Sequence, residues 1–171
     1  SIELVKKLRE KTGARIADCK KALVESGGDM EKAIEYLRKK GAATSQKRSD
    51  RIAKEGLIFA KADTGKTKAA IAEVNCETDF VAKSETFQKL ANLVLDSVFD
   101  SKTGDVNSLL GFKASGGNTI QQEIDGTTAS VGEKVELKRA EYFTSADGFY
   151  CTYNHPGNKV ASLIELTGKV T

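Results

Sequence analysis

A chain of 171 residues has room for one or two small domains and none for a multidomain machine. Its 39% hydrophobic content can fill an ordinary core, yet no apolar run reaches the roughly 18 residues of a membrane span, and the amino terminus shows no signal-peptide pattern, so it reads as soluble. Lys plus Arg number 27 and Asp plus Glu 24, a net +3 that is weak for a strong nucleic-acid binder, and three scattered cysteines without a CxxC pair argue against a disulfide framework or structural zinc and for a reducing compartment.

The charge is uneven: residues 1–54 hold 15 basic and 8 acidic side chains, residues 55–171 hold 12 and 16. That split predicts two units with different surfaces, and the basic front can face nucleic acid, an acidic protein or only water. Ile2, Val5 and Leu8 fall at helical spacing, Thr12-Gly13-Ala14 interrupts, and Ile16, Cys19 and Leu23 resume the period up to Gly27-Gly28. Asp29 offers a cap for a third helix carrying Met30, Ala33, Ile34 and Leu37, which Gly41 is expected to stop. Residues 1–40 thus predict a three-helix domain, marginal alone, that docks on something or serves as a recognition module. Ile16 and Ala17, just after a tight glycine turn, are placed to reach a partner. Residues 41–54 read as a linker with some helical content.

From residue 55 the period changes. Gly56–Ala60 and Ala70–Val74 are β-leaning runs joined by Asp63-Thr64-Gly65, a hairpin signature. Phe87, Leu90, Ala91, Val94 and Val98 mark an amphipathic helix capped by Ser84. The glycine-rich residues 100–118 read as a loop or insertion. A helix over 119–130 then leads to strands at 135–143, 149–153 and 160–166, the last two separated by Asn154-His155-Pro156-Gly157. Without βαβ alternation, residues 55–171 predict an α+β core on an antiparallel sheet.

Three stretches could carry chemistry. Residues 60–67, AKADTGKT, approximate the phosphate loop GxxxxGK[ST] with alanine for its first glycine, which would make the chain a nucleotide-binding enzyme. That loop needs a helix after Thr67, whereas 68–75 reads as a returning strand, and Asp63 would put a carboxylate in an anion site. The plain hairpin is favoured. Cys76 lacks a nearby base, because the single histidine, His155, is far along the chain. In Asp79-Phe80, the ring is either a core plug beside a capping aspartate or a wedge for an apolar slot on another protein, and the local chemistry favours the plug. His155 sits in a turn that Pro156 and Gly157 explain by themselves.

Leu8–Ala14, Asp18–Leu23 and Gly27–Ala33 together resemble the amino-terminal signature of the elongation factor Ts family. Glu55–Ile58, Glu73–Ala82 and Val131–Lys134 match the same family in the same order. The resemblance implies a guanine-nucleotide exchange factor for elongation factor Tu, not an enzyme, with no cofactor, metal or catalytic residue. It implies that residues 1–40 are a ubiquitin-associated-like domain contacting the GTPase domain of Tu through Arg15, Ile16 and Ala17. It assigns Thr78, Asp79, Phe80 and Val81 to the TDFV motif, whose Asp and Phe enter that GTPase domain near its magnesium site, which turns the reading of Phe80 from plug to wedge. His155 matches a turn histidine of the family's core. The resemblance further implies a single dimerisation-type core subdomain that can pair as a homodimer or belong to a longer chain. Neither nucleic acid nor membrane is an expected direct partner, and the expected location is a bacterial cytoplasm or an organelle of bacterial ancestry.

Overall fold

In the computed structural model, which describes residues 1–168, the amino-terminal periodicity becomes three helices: α1 (Ile2–Thr12), α2 (Ile16–Glu25) and α3 (Met30–Lys47). They share a core of Leu8, Cys19, Ala22, Leu23 and Ala33, flanked by half-buried Val5, Ile34 and Leu37. Asp29 caps α3 as expected, accepting the Lys32 N–H at 3.0 Å. Gly41 does not stop α3, which runs on to Lys47, into the stretch read from the sequence as a linker. The reason is long-range. At Gly41 the helix crosses α7 (Ile120–Val131) so closely that a Cβ would sit 3.2 Å from the carbonyl oxygen of Asp125. Glycine there permits the contact, and the contact holds the helix through a residue that would otherwise weaken it by about 1 kcal/mol.

The rest of the chain builds an α+β core on antiparallel sheets. Strands β1 (Glu55–Ala62), β2 (Lys68–Cys76) and β3 (Val135–Thr144) pair in that order, with Glu55 opposite Cys76 and Cys76 opposite Val135. Alternation along them presents Leu57, Ala70, Ala72, Val74 and Leu137 to the long helix α5 (Glu85–Ser101). That helix answers with Phe87, Leu90, Ala91, Val94 and Val98, and Ser84 caps it by accepting the Phe87 N–H. Between β2 and α5 lies a single helical turn, α4 (Asp79–Ala82).

Two details depart from the sequence reading. Residues 100–118 contain a short helix, α6 (Val106–Gly111), capped by Asp105, whose carboxylate accepts the Ser108 N–H at 2.8 Å. The carboxy-terminal strands β4 (Gly148–Asn154) and β5 (Ala161–Thr167) form a separate two-stranded sheet instead of extending the first. It is tied to β1 by the Asn154 side chain, which accepts from the Ala60 N–H and donates to the Ala60 carbonyl, both at 2.8 Å. Its outer face leaves Tyr153, Ile164 and Leu166 exposed.

Candidate partner-binding site

Residues 60–62 end strand β1, and 63–67 are a hairpin turn. Asp63 closes it, its Oδ1 accepting the Lys68 N–H at 2.9 Å, and Thr67 runs directly into β2, so no helix amino terminus faces the loop. The phosphate-loop alternative is thereby overturned, because its anion site requires that helix. Cys76 is fully buried, its thiol donates to the Thr78 carbonyl at 3.1 Å, and burial pushes its pKa up to about 11. Such a thiol is inert at neutral pH.

The Thr78–Val81 segment sits where β2 ends. Thr78, in an extended conformation, caps α4 through Oγ1, which accepts the Val81 N–H at 3.4 Å. The cap is therefore Thr78 and not Asp79. Asp79 opens the helical turn, where a carboxylate is favoured by the backbone dipoles. Its Oδ2 lies 2.8 Å from the Lys83 ammonium, which holds the carboxyl below the usual carboxylate range. Val81 packs inward on the core, and Phe80 points outward with 81% of its surface exposed. The plug reading fails on this exposure. Of the four residues, Thr78 and Val81 anchor the turn while Phe80, with Asp79 beside it, is presented to solvent.

The support of this turn comes from across the sheet. Beyond the last ladder pair, Cys76 and Val135, the strands diverge and two carboxylates take over the role of ladder carbonyls. Glu77 accepts the Lys134 N–H at 2.6 Å, and Glu133 accepts from Thr78 twice, the N–H at 2.9 Å and the hydroxyl at 2.7 Å. The Lys134 N–H, followed by Arg48 at 3.1 Å, keeps the Glu77 carboxyl below its ordinary range. Nothing in the local pattern of 131–134 announces this pairing.

The other expected contact residues lie apart from Phe80. Ile16 and Ala17 are exposed at the start of α2, Ile16 by 49%. Arg15 is engaged within the chain, its Nε donating to the Ser130 carbonyl at 2.9 Å and its guanidinium lying over Gly132, where a Cβ would clash. Ser130 Oγ in turn donates to the Gly13 carbonyl at 3.0 Å, fastening the α1–α2 turn to the end of α7. His155 is exposed in the β4–β5 turn, its Nδ1 3.0 Å from the Tyr153 hydroxyl. That turn approaches the Phe80 end of the core through Lys159, which pairs with Glu55 and also attracts the Asp79 carboxylate. A cleft of about 650 Å³ separates the α1–α2 turn and α3 from α5 and α7, lined by Asp18, Arg38, Lys89, Glu123 and others of mixed charge, and it includes neither Asp79 nor Phe80. Among the described residues no helix is long and apolar enough to cross a membrane, and no group of His, Cys, Asp and Glu could hold a metal ion.

Comparison with known proteins gives a consistent answer. Residues 77–171 match the family described as elongation factor TS. The elongation factor Ts of Chlorobium phaeobacteroides (strain BS1) is 43% identical over 171 residues, covering 98% of this chain and 59% of that protein. That of Chlorobium luteolum is 45% identical over 165 residues, covering 95% and 57%, and that of Thioalkalivibrio sulfidiphilus is 43% identical over 165 residues, covering 96% and 56%. The chain thus spans less than two thirds of the length of these relatives.

Proposed function

The chain belongs to the elongation factor Ts family, and we propose that it acts as a guanine-nucleotide exchange factor, binding elongation factor Tu and promoting the release of GDP during translation elongation. The observation that carries this reading is Phe80, an aromatic ring 81% exposed on a turn whose backbone is capped and clamped. A free-standing phenylalanine of that kind is a wedge in search of an apolar pocket. Asp79 accompanies it, and together they disturb the surroundings of the partner's magnesium ion.

No bond is made or broken by this protein in such a reaction. A GTPase holds its nucleotide partly through magnesium bridging the phosphates, so a partner that disturbs the magnesium ligands weakens nucleotide binding. When the factor binds nucleotide-free Tu more tightly than nucleotide-bound Tu, linkage requires nucleotide to bind more weakly by the same factor. Ile16 and Ala17 provide a second contact through the helical front, with Arg15 reaching it only by leaving Ser130. The proposal places the protein where bacterial-type translation occurs, in a bacterial cytoplasm or an organelle of bacterial ancestry. The direct experiment is release of fluorescently labelled GDP from elongation factor Tu with and without this chain. Acceleration that saturates with chain concentration supports the reading, and an unchanged release rate at high chain concentration overturns it.

A further inference from the structure

We propose that Glu133 is a positioning residue for exchange: its carboxylate locks the Thr78–Phe80 turn to the start of β3, so that the Phe80 ring meets the partner in one orientation. The inference rests on the function proposed above and goes beyond it, to a residue 55 positions from Thr78 in sequence.

A helix of four residues cannot hold itself, since nucleation is unfavourable and α4 is too short for propagation to repay it. Its position must come from outside. Phe80 contributes nothing, being exposed; Val81 and the fully buried Ala82 hold the carboxy-terminal half of the turn in the core, and the Ser84 hydroxyl donates to the Val81 carbonyl at 2.7 Å, while the amino-terminal half, which sets the direction of Phe80, is held by the two bonds that Thr78 donates to Glu133. Both bonds end on one carboxylate at 2.9 and 2.7 Å, the geometry of charge-assisted hydrogen bonds, which are about twice as strong as neutral ones. They also orient the cap, because the Thr78 hydroxyl gives its proton to Glu133 and keeps a lone pair for the Val81 N–H. Glu77, bound to the Lys134 N–H and to Arg48, crosses the same gap in the opposite direction and keeps Glu133 in register.

The test measures saturating stimulation of GDP release from elongation factor Tu, and amide hydrogen exchange in the free chain. Glu133→Ala is expected to lower the saturating stimulation by about tenfold, as for loss of hydrogen bonds to a charged group. Glu133→Gln should stay within about threefold of the unaltered chain, because its amide oxygen accepts the Thr78 N–H and its NH2 donates to the freed Oγ1 lone pair. Phe80→Ala, expected to cost about thirtyfold by itself, should cost only about threefold more in the Glu133→Ala background, since both changes remove the same oriented ring. A double variant that loses the full product of the two single effects overturns the proposal. Should Glu133→Ala fail to fold, Glu133→Asp, which draws the carboxylate back by one methylene and leaves the Thr78 cap on Val81 in place, supplies the same comparison. In the free chain, Ala82 and Lys83 amides, bonded to the Thr78 and Asp79 carbonyls, should lose about tenfold in protection in Glu133→Ala. Unchanged protection overturns the positioning role whatever the partner does. Altered protection together with no stimulation of GDP release by the unaltered chain leaves Glu133 as the clamp and sinks the exchange reading instead.

Discussion

Replacing Phe80 by alanine separates an interface ring from a structural one. Phe80 is 81% exposed, so truncation removes almost no buried apolar surface from the folded chain, and the expected change in stability is within about 0.5 kcal/mol. For a chain of this size that corresponds to a melting shift of no more than about 2 °C. Phe87, seven residues farther along the chain but fully buried under the sheet, is the internal control. Its replacement by alanine leaves a cavity and costs about 3 to 5 kcal/mol, a drop of roughly 10 °C. Function should invert the order. A ring of this size that fills a partner pocket contributes about 2 kcal/mol or more, so Phe80→Ala should lose roughly thirtyfold in stimulated GDP release from elongation factor Tu. Thermal melts followed by circular dichroism and stopped-flow release of labelled GDP read the two quantities on the same preparations. A Phe80→Ala chain that melts as early as Phe87→Ala, or that releases GDP at the unaltered rate, would refute the assignment of the ring to the partner.

Lys66→Ala and Thr67→Ala are expected to leave GDP release unchanged, and equilibrium dialysis of the chain against millimolar GTP or ATP to show no binding, because 63–67 is a hairpin turn; saturable binding lost in Lys66→Ala would reopen the enzyme reading. At Gly41, alanine should be nearly neutral in urea denaturation, the gain of about 1 kcal/mol in helix propensity offsetting a Cβ contact at 3.2 Å, whereas Gly41→Val should destabilise by about 1 to 3 kcal/mol by prising α3 from α7. Native chain should react with a thiol reagent at Cys151 alone, and at Cys19 and Cys76 only after unfolding. The Cys76 thiol is raised by burial to about 11 from an ordinary value near 9, so the folded state holds its proton more tightly than the unfolded one. Its contribution to stability is therefore complete below about pH 9 and lost as the pH rises toward 11, and Cys76→Ala should flatten that alkaline slope in denaturation midpoints.

What the sequence revealed and what it hid divide along contact range. The helical stripes, the Asp29 and Ser84 caps and the hairpin at 63–65 are decided by neighbours within a few residues, and each is where local spacing put it. Gly41 shows the limit: helix propensity argues for a stop, and a close approach to a helix some 80 positions downstream wins. The Thr78–Val81 motif was legible through family resemblance, but its division of labour was not. Thr78 takes the cap because its extended backbone aims Oγ1 at the Val81 N–H, which leaves Asp79 to Lys83 and makes the neighbouring aspartate a poor guide to where the helix begins. Arg15 bonds to Ser130 and Glu133 holds Thr78, and neither pairing has a local signature: links across 115 and 55 positions depend on how β3 follows α7, which no periodicity encodes.

The clamp on α4 bears on how so small a wedge can act at all. Ordering a residue costs about 1 to 2 kcal/mol in backbone entropy, so a freely moving Asp79–Ala82 turn would forfeit about 4 kcal/mol or more on binding, a factor near a thousand in affinity. That exceeds the roughly 2 kcal/mol a single interface ring contributes, and a flexible Phe80 would have no net effect. With Thr78 bound to Glu133, Glu77 bound to Lys134 and Val81 in the core, most of this entropy is already lost in the free protein, and the gain from the ring remains available to oppose nucleotide. On the proposed function, this preorganisation is what converts an exposed side chain into a difference in affinity between nucleotide-free and nucleotide-bound partner, the one quantity through which an exchange factor without chemistry of its own can work.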